Sequence, residues 1–140
     1  MRGLGAGSIA VVALAGLALL AACGSSSPAA RLSGLAARTI SAGAVEVSLQ
    51  PLRLDTSGAV FAVNLDTHSA DLTVDIAAAA RLAVDGTDWG AATWTGDPPG
   101  GHHRQGELRF RSGGPARGQV RMTISGLPGP VVATWSLASG

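Results

Sequence analysis

From Val45 onward the chain alternates apolar and polar residues with a period of two. Val45, Val47 and Leu49 alternate with Glu46, Ser48 and Gln50, the pattern of a strand with one buried face. Pro51 interrupts this stretch, and beyond it Leu52 and Leu54 are apolar, so the parity reverses. A proline at a register change predicts an edge strand with a bulge, or a strand that switches sheets. Asp55-Thr56-Ser57-Gly58 reads as a turn. Phe61, Val63 and Leu65 then alternate with Ala62, Asn64 and Asp66, and Leu72, Val74 and Ile76 with Asp71, Thr73 and Asp75. Ala77 to Ala80 favours helix locally but is too short to hold one alone. It predicts a turn, or a single helical turn crossing between sheets. Leu82 and Val84 lead into Asp85-Gly86, a hairpin signal. Trp89 and Trp94 flank a Gly-Ala-Ala stretch that returns. Gly96 to His103 is the longest irregular segment. Three further alternations follow, on Leu108 and Phe110, on Val120, Met122 and Ile124, and on Ala133, Trp135 and Leu137.

Seven or eight short strands at roughly ten-residue spacing, with turn signals between them and no amphipathic helix, predict an all-β fold over residues 44–139. The expected architecture is an immunoglobulin-like antiparallel sandwich, with a small barrel as the alternative. The Cys…Trp…Cys spacing of antibody domains is absent. After residue 22 the only aromatics are Phe61, Trp89, Trp94, Phe110 and Trp135, so these five are expected to anchor the core.

The pattern before Val45 differs. Met1-Arg2-Gly3 is a short positive start, and Ile9 to Ala22 is an unbroken apolar run. That run falls short of the roughly 20 residues of a membrane span and suits the apolar region of a signal peptide. Leu20-Ala21-Ala22-Cys23-Gly24 closes it, followed by serines and a proline. The pentapeptide resembles the lipobox of bacterial lipoproteins. The resemblance implies a signal peptide over 1–22 and a lipidated Cys23 as the new N-terminus. It also implies a membrane anchor on the extracytoplasmic face, because two or more acyl chains hold stably where one is marginal. Residues 23–43, rich in Gly, Ser, Ala and Pro, read as a flexible tether.

Charge and cysteine count fit this picture. Arg2 would leave with the signal, and the rest carries nine Arg, no Lys, seven Asp and two Glu. A balanced domain offers no electrostatic footprint for nucleic acid and no polybasic run for anionic lipid. Cys23 is the single cysteine, so no internal disulfide can form; lipidation gives the thiol its use.

Candidate chemistry lies in three histidines. His68 sits in Leu65-Asp66-Thr67-His68-Ser69-Ala70-Asp71-Leu72, and His102 and His103 in Gly100-Gly101-His102-His103-Arg104. Imidazole suits copper or zinc, with Asp66 and Asp71 as supporting carboxylates. Adjacent residues of extended chain point opposite ways, so His102 and His103 would need the freedom of the glycines before them. The plainer reading makes them loop hydrogen-bonders. No catalytic motif accompanies them: there is no G-x-S-x-G, H-E-x-x-H or P-loop, and the chain does not read as an enzyme. Arg109, Arg111 and Arg121 would form a basic stripe if adjacent, and Trp89 with Trp94 an exposed stacking platform if not core.

The domain also resembles uncharacterised exported bacterial domains over roughly Val45 to Leu137. The shared segments are Leu65–Ser69, Asp71-Leu72, and Trp94 with Gly100–His103. That resemblance implies a fold and attention to the histidines, with no activity attached. The expected function is a lipid-anchored cell-envelope protein carrying one β-sandwich binding or interaction module, with an envelope protein as a candidate partner. The alternative is a copper- or zinc-binding lipoprotein using the loop histidines.

Overall fold

The computed structural model describes residues 35–138. Cys23 and the signal stretch lie outside them. The described chain forms strands β1 (Arg38–Ala42), β2 (Val45–Asp55) and β3 (Gly58–Thr67), then a short helix α1 (Ile76–Ala79). Strands β4 (Ala80–Val84), β5 (Thr87–Asp88), β6 (Ala92–Gly96), β7 (His103–Arg111), β8 (Gly118–Ile124) and β9 (Val131–Leu137) complete it. Two antiparallel sheets result: sheet A in the order β1-β2-β3-β7-β6, and sheet B in the order β5-β4-β8-β9. The architecture is an all-β sandwich, and no described helix is long and apolar enough to cross a membrane.

The period-two pattern produces the core. Val45, Val47 and Leu49 of β2, Phe61, Val63 and Leu65 of β3, and Leu108 and Phe110 of β7 turn inward from sheet A. Leu82 and Val84 of β4, Val120, Met122 and Ile124 of β8, and Val131, Ala133 and Trp135 of β9 meet them from sheet B. Phe61 sits at the centre, edge-on to Phe110 at 6.4 Å and 5.4 Å from Trp135 across the two sheets.

Pro51 lies at a bulge, as its sequence position predicts. Pro51 pairs with Phe61 and Arg53 with Val60, leaving Leu52 as the extra residue. The parity does reverse, because Leu54 is buried. Leu52, however, is 45% exposed, since the inserted residue of a bulge is the one without a ladder partner. β2 is not an edge strand at its start, where β1 pairs with it. That pairing ends at Leu49, so the proline falls where no β1 residue requires its missing N–H.

Three boundaries differ from the sequence pattern. First, β1 lies inside the 23–43 stretch that composition reads as a tether, and Leu35 is already buried in the core. The Gln50 side-chain amide donates to the Leu35 carbonyl and the Trp135 indole to the Ala36 carbonyl, at 3.3 and 2.7 Å. This strand escaped notice because only Ala42 is buried and Ile40 half-buried, too little for a period to show. Second, Asp71–Asp75 is not a strand. Leu72 is buried and Val74 half-buried as the alternation predicts, yet Leu72 pairs with the loop at Gly100 and Gly101 and with no strand. Third, Trp89 and Trp94 do not flank a hairpin. β5 belongs to sheet B and β6 to sheet A, so the Gly-Ala-Ala stretch crosses between layers.

Two local expectations are met in detail. The alanine run gives one helical turn between sheets A and B, capped by the Asp75 carboxylate accepting from the Ala78 N–H at 3.1 Å, an N-cap geometry. Asp85 and Gly86 both take positive φ, 50° and 78°, as the tight hairpin turn between β4 and β5 requires.

The register defines two ends of the sandwich. The β1–β2 turn at Gly43, the end of β3 at Thr67 and the start of β7 at His103 lie together, with Pro128 packed against Gly43. All three histidines are at this end. β1 runs toward it, so the N-terminal chain joins the domain from the opposite direction.

Candidate functional site

The histidine end is built by Thr67, not by the histidines. Its side chain is buried where β3 stops. The hydroxyl donates to the Ala44 carbonyl at 2.8 Å and accepts from the Ser69 and Ala70 N–H groups at 3.3 and 3.2 Å. Its N–H donates to the His102 carbonyl at 2.9 Å. One threonine therefore ties the β1–β2 turn, the loop carrying His68 and the loop carrying His102.

On this frame the histidines separate. His68, His102 and His103 are all exposed. His103 is in register with Asp66 across β3 and β7, and its Nδ1 bonds the Asp66 carboxylate. His68 lines a cleft of about 230 Å³ with Glu46 and Asp66. Asp71 is exposed on the crossing segment, beside Gly100. Among the described residues no three His, Cys, Asp or Glu side chains are grouped as a metal ion requires. The donor set expected for copper or zinc from His68, His102, His103, Asp66 and Asp71 is thus not assembled here. Gly100 and Gly101 do take positive φ, 113° and 73°, but β7 begins at His103, whose ring is bonded to Asp66.

Behind the same loop lies a residue that the sequence reading passed over. Arg104 is 1% exposed. It continues the inward parity of Leu108 and Phe110, with Gly106 between, and that alternation was the available signal. Its Nη1 donates to the carbonyls of Leu72 (3.0 Å) and Val74 (2.7 Å), and its Nη2 to that of Asp97 (3.4 Å). Its guanidinium carbon lies 5.6 Å from the centre of the Trp94 ring, within cation–π range. Nε has no partner. Burial pulls the Arg104 pKa below its ordinary value, opposed by the charges of Asp97 and Asp75. No carboxylate among the described residues forms a salt bridge with it, so carbonyl dipoles and an aromatic face hold the charge. These bonds staple the crossing segment to sheet A.

Trp94 reaches this position because Gly96 and Gly106 pair directly beneath it. A Cβ on either glycine would come within 2.9 or 2.7 Å of the indole. Trp94 is half-buried and its Nε1 donates to the Asp97 carbonyl at 2.9 Å. Trp89 is core. No exposed tryptophan pair exists to serve as a stacking platform.

The arginine stripe also dissolves in three dimensions. Arg109 and Arg111 are on β7 of sheet A, Arg121 on β8 of sheet B, so they face opposite sides of the sandwich. Arg109 is bonded to Glu107 two residues away on its own strand.

A broad depression lies on the outer face of sheet A. It is a trough of about 420 Å³ over β2, β3 and β7, walled by Ser48, Gln50, Asn64, Gln105 and Glu107 with Ala62 in its floor. The register explains it. Ala62 lies between Gln50 and Glu107 in one cross-strand row, and its single methyl leaves a dent between two long side chains. A second cleft of about 330 Å³ separates the crossing segment from the Gly126–Pro128 turn. The chain matches no protein family, no curated protein and no solved structure.

Proposed function

We propose that the protein is a lipid-anchored module of the cell envelope, held on the extracytoplasmic face through Cys23, whose sandwich binds a ligand on the outer face of sheet A. The trough carries the binding half of this reading. Its volume of about 420 Å³ falls in the range of small-ligand clefts, and hydrogen-bonding side chains from three strands surround it. The Leu20–Gly24 pentapeptide supports the anchoring half. The fold sharpens it: the domain begins by Leu35, so only residues 24–34 separate it from Cys23. Eleven residues span at most about 40 Å.

Fractionation tests the anchor. Cys23→Ser should move the protein from the membrane to the soluble fraction, and undiminished membrane retention would refute it. Co-sedimentation of the Cys23→Ser chain with washed envelope fragments tests the face. Retention should fall when Ala62→Arg fills the trough, while His68→Ala at the far end should leave it unchanged.

A further inference from the structure

We infer that the trough on sheet A takes an uncharged oligosaccharide, read by side-chain amides and hydroxyls. This rests on the outer face of sheet A being the binding surface. The register aligns two neighbouring rows there. Thr39, Ser48, Asn64 and Gln105 form one, and Gln50, Ala62, Glu107 and Thr95 the other. Each row crosses four strands and is about 14 Å long at the usual strand spacing.

The chemistry of the rows selects the ligand class. Ser48, Asn64 and Gln105 present both donors and acceptors, as sugar hydroxyls do in return. Gln50, whose N–H groups are held by the Leu35 and Pro51 carbonyls, presents its amide oxygen. Glu107 is the single charge in the two rows, and Arg109 engages it. In the next row Asp66 is likewise paired with His103. Glu46 in that row is unpaired among the described residues but stands outside the trough, so the trough itself offers phosphate, nucleic acid or a cation no unengaged charge. An extended peptide is the poorer fit. Peptides add to sheet edges through backbone bonds or place apolar side chains in pockets. This trough is centred on β3, which is paired on both sides along it, and its floor is one alanine.

No aromatic ring assists. Phe61, Trp89, Phe110 and Trp135 are in the core and Trp94 packs against it. Affinity must come from hydrogen bonds that each net about 1 kcal/mol, so the expected dissociation constant is about 1 mM.

The test is a titration of the full chain, in micelles of a detergent without sugar headgroups, with cellohexaose and chitohexaose, followed by amide chemical shifts. At least one should give saturable shifts at Ser48, Gln50, Ala62, Asn64, Gln105 and Glu107. Removing one amide group with Gln105→Ala should weaken binding about fivefold. Filling the dent with Ala62→Arg should weaken it about tenfold or more. Both side chains face outward, and circular dichroism confirms that each variant folds. No saturable shift with either sugar at about ten times the expected dissociation constant, or shifts confined to the histidine end, would overturn the inference. If neither sugar binds but Ala62→Arg still abolishes retention on envelope fragments, the ligand class is wrong and the binding face stands. If Ala62→Arg leaves retention unchanged, the face itself is wrong and the inference falls with it.

Discussion

Two regions of this sandwich are equally dry and held in opposite ways. At the centre, Phe61 meets Phe110 within sheet A and Trp135 across the sheets, ring against ring. At the corner under the Gly100–His103 loop, Arg104 is just as buried, and its surroundings are carbonyl oxygens and the Trp94 face. The centre is non-directional. Any apolar group of the right volume gains from leaving water. The corner is directional: one guanidinium reaches three carbonyls only if it sits in one place, and that of Val74 has no other donor among the described residues. The first arrangement stabilises the whole domain, and the second fixes the path of one segment.

Phe61→Ala should give the largest effect. Truncating a central aromatic costs about 4 kcal/mol, read as a fall in the denaturant midpoint. Protection should drop over both sheets together, since the ring touches both. Arg104→Met keeps volume and removes the donors. It should cost about 2 kcal/mol, because the Val74 carbonyl loses its partner in a dry site, while those of Leu72 and Asp97 keep only the Gly100 N–H and the Trp94 indole N–H. Its signature in amide exchange should be local, concentrated at Leu72 and Gly100. Uniform loss of protection would show that the corner is simply more core. Arg104→Lys restores the charge but not the fork, and should recover only part of the loss.

Thr67→Val sharpens the comparison at the next corner. It is nearly isosteric and deletes a hydroxyl that serves the Ala44 carbonyl and two N–H groups, so about 1–2 kcal/mol should be lost. Amide signals of Ser69 and Ala70 should move most. A change below about 0.3 kcal/mol would place the tie between the loops elsewhere, in the backbone bond from Thr67 to His102. Asp66→Asn tests a pair that is half-exposed on both sides. Solvent screening limits it to less than about 1 kcal/mol, despite its prominence in the sequence.

The smallest effect is a pH dependence at the β2–β3 turn. Asp55 accepts from the Ser57 hydroxyl and N–H. The Ser57 hydroxyl is the chief cause that draws its pKa below the ordinary carboxylate value. A group with a depressed folded pKa binds its proton more weakly folded than unfolded. Its contribution is therefore complete above the ordinary Asp range and is lost as pH falls through the lowered folded value. Acid titration of stability should lose that component in Asp55→Asn, and an unaltered acid limb would assign it to other carboxylates.

Much of the fold could be read from the chain because an outward residue on a strand meets water and an inward one meets the other sheet. Val45 to Leu49, Phe61 to Leu65 and Val120 to Ile124 carry that alternation without exception. The crossing segment shows the limit. Leu72 and Ile76 alternate like a strand and are buried like one. Burial reports a neighbour on one side, while a strand also needs a backbone partner along its edge, and a loop supplies that partner here. The histidine end shows a second limit. His68, His102 and His103 were conspicuous as residue types, yet Thr67 makes the connections. Threonine is common in strands, so its position signalled nothing.

By itself the sequence determined the layer architecture, the Asp85-Gly86 turn, the short turn of the alanine run and four of the five aromatics in the core. Each depends on neighbours a few residues away or on a face that repeats every second residue. Only the tertiary structure decided the rest. It placed Arg109 and Arg121 on opposite faces, joined β1 to the domain, buried Arg104 among distant carbonyls, and set Gln50, Ala62 and Glu107 in one row to open the trough. These depend on which strands become neighbours, a choice set by packing the two sheets as a whole. No local stretch of the chain contains that information.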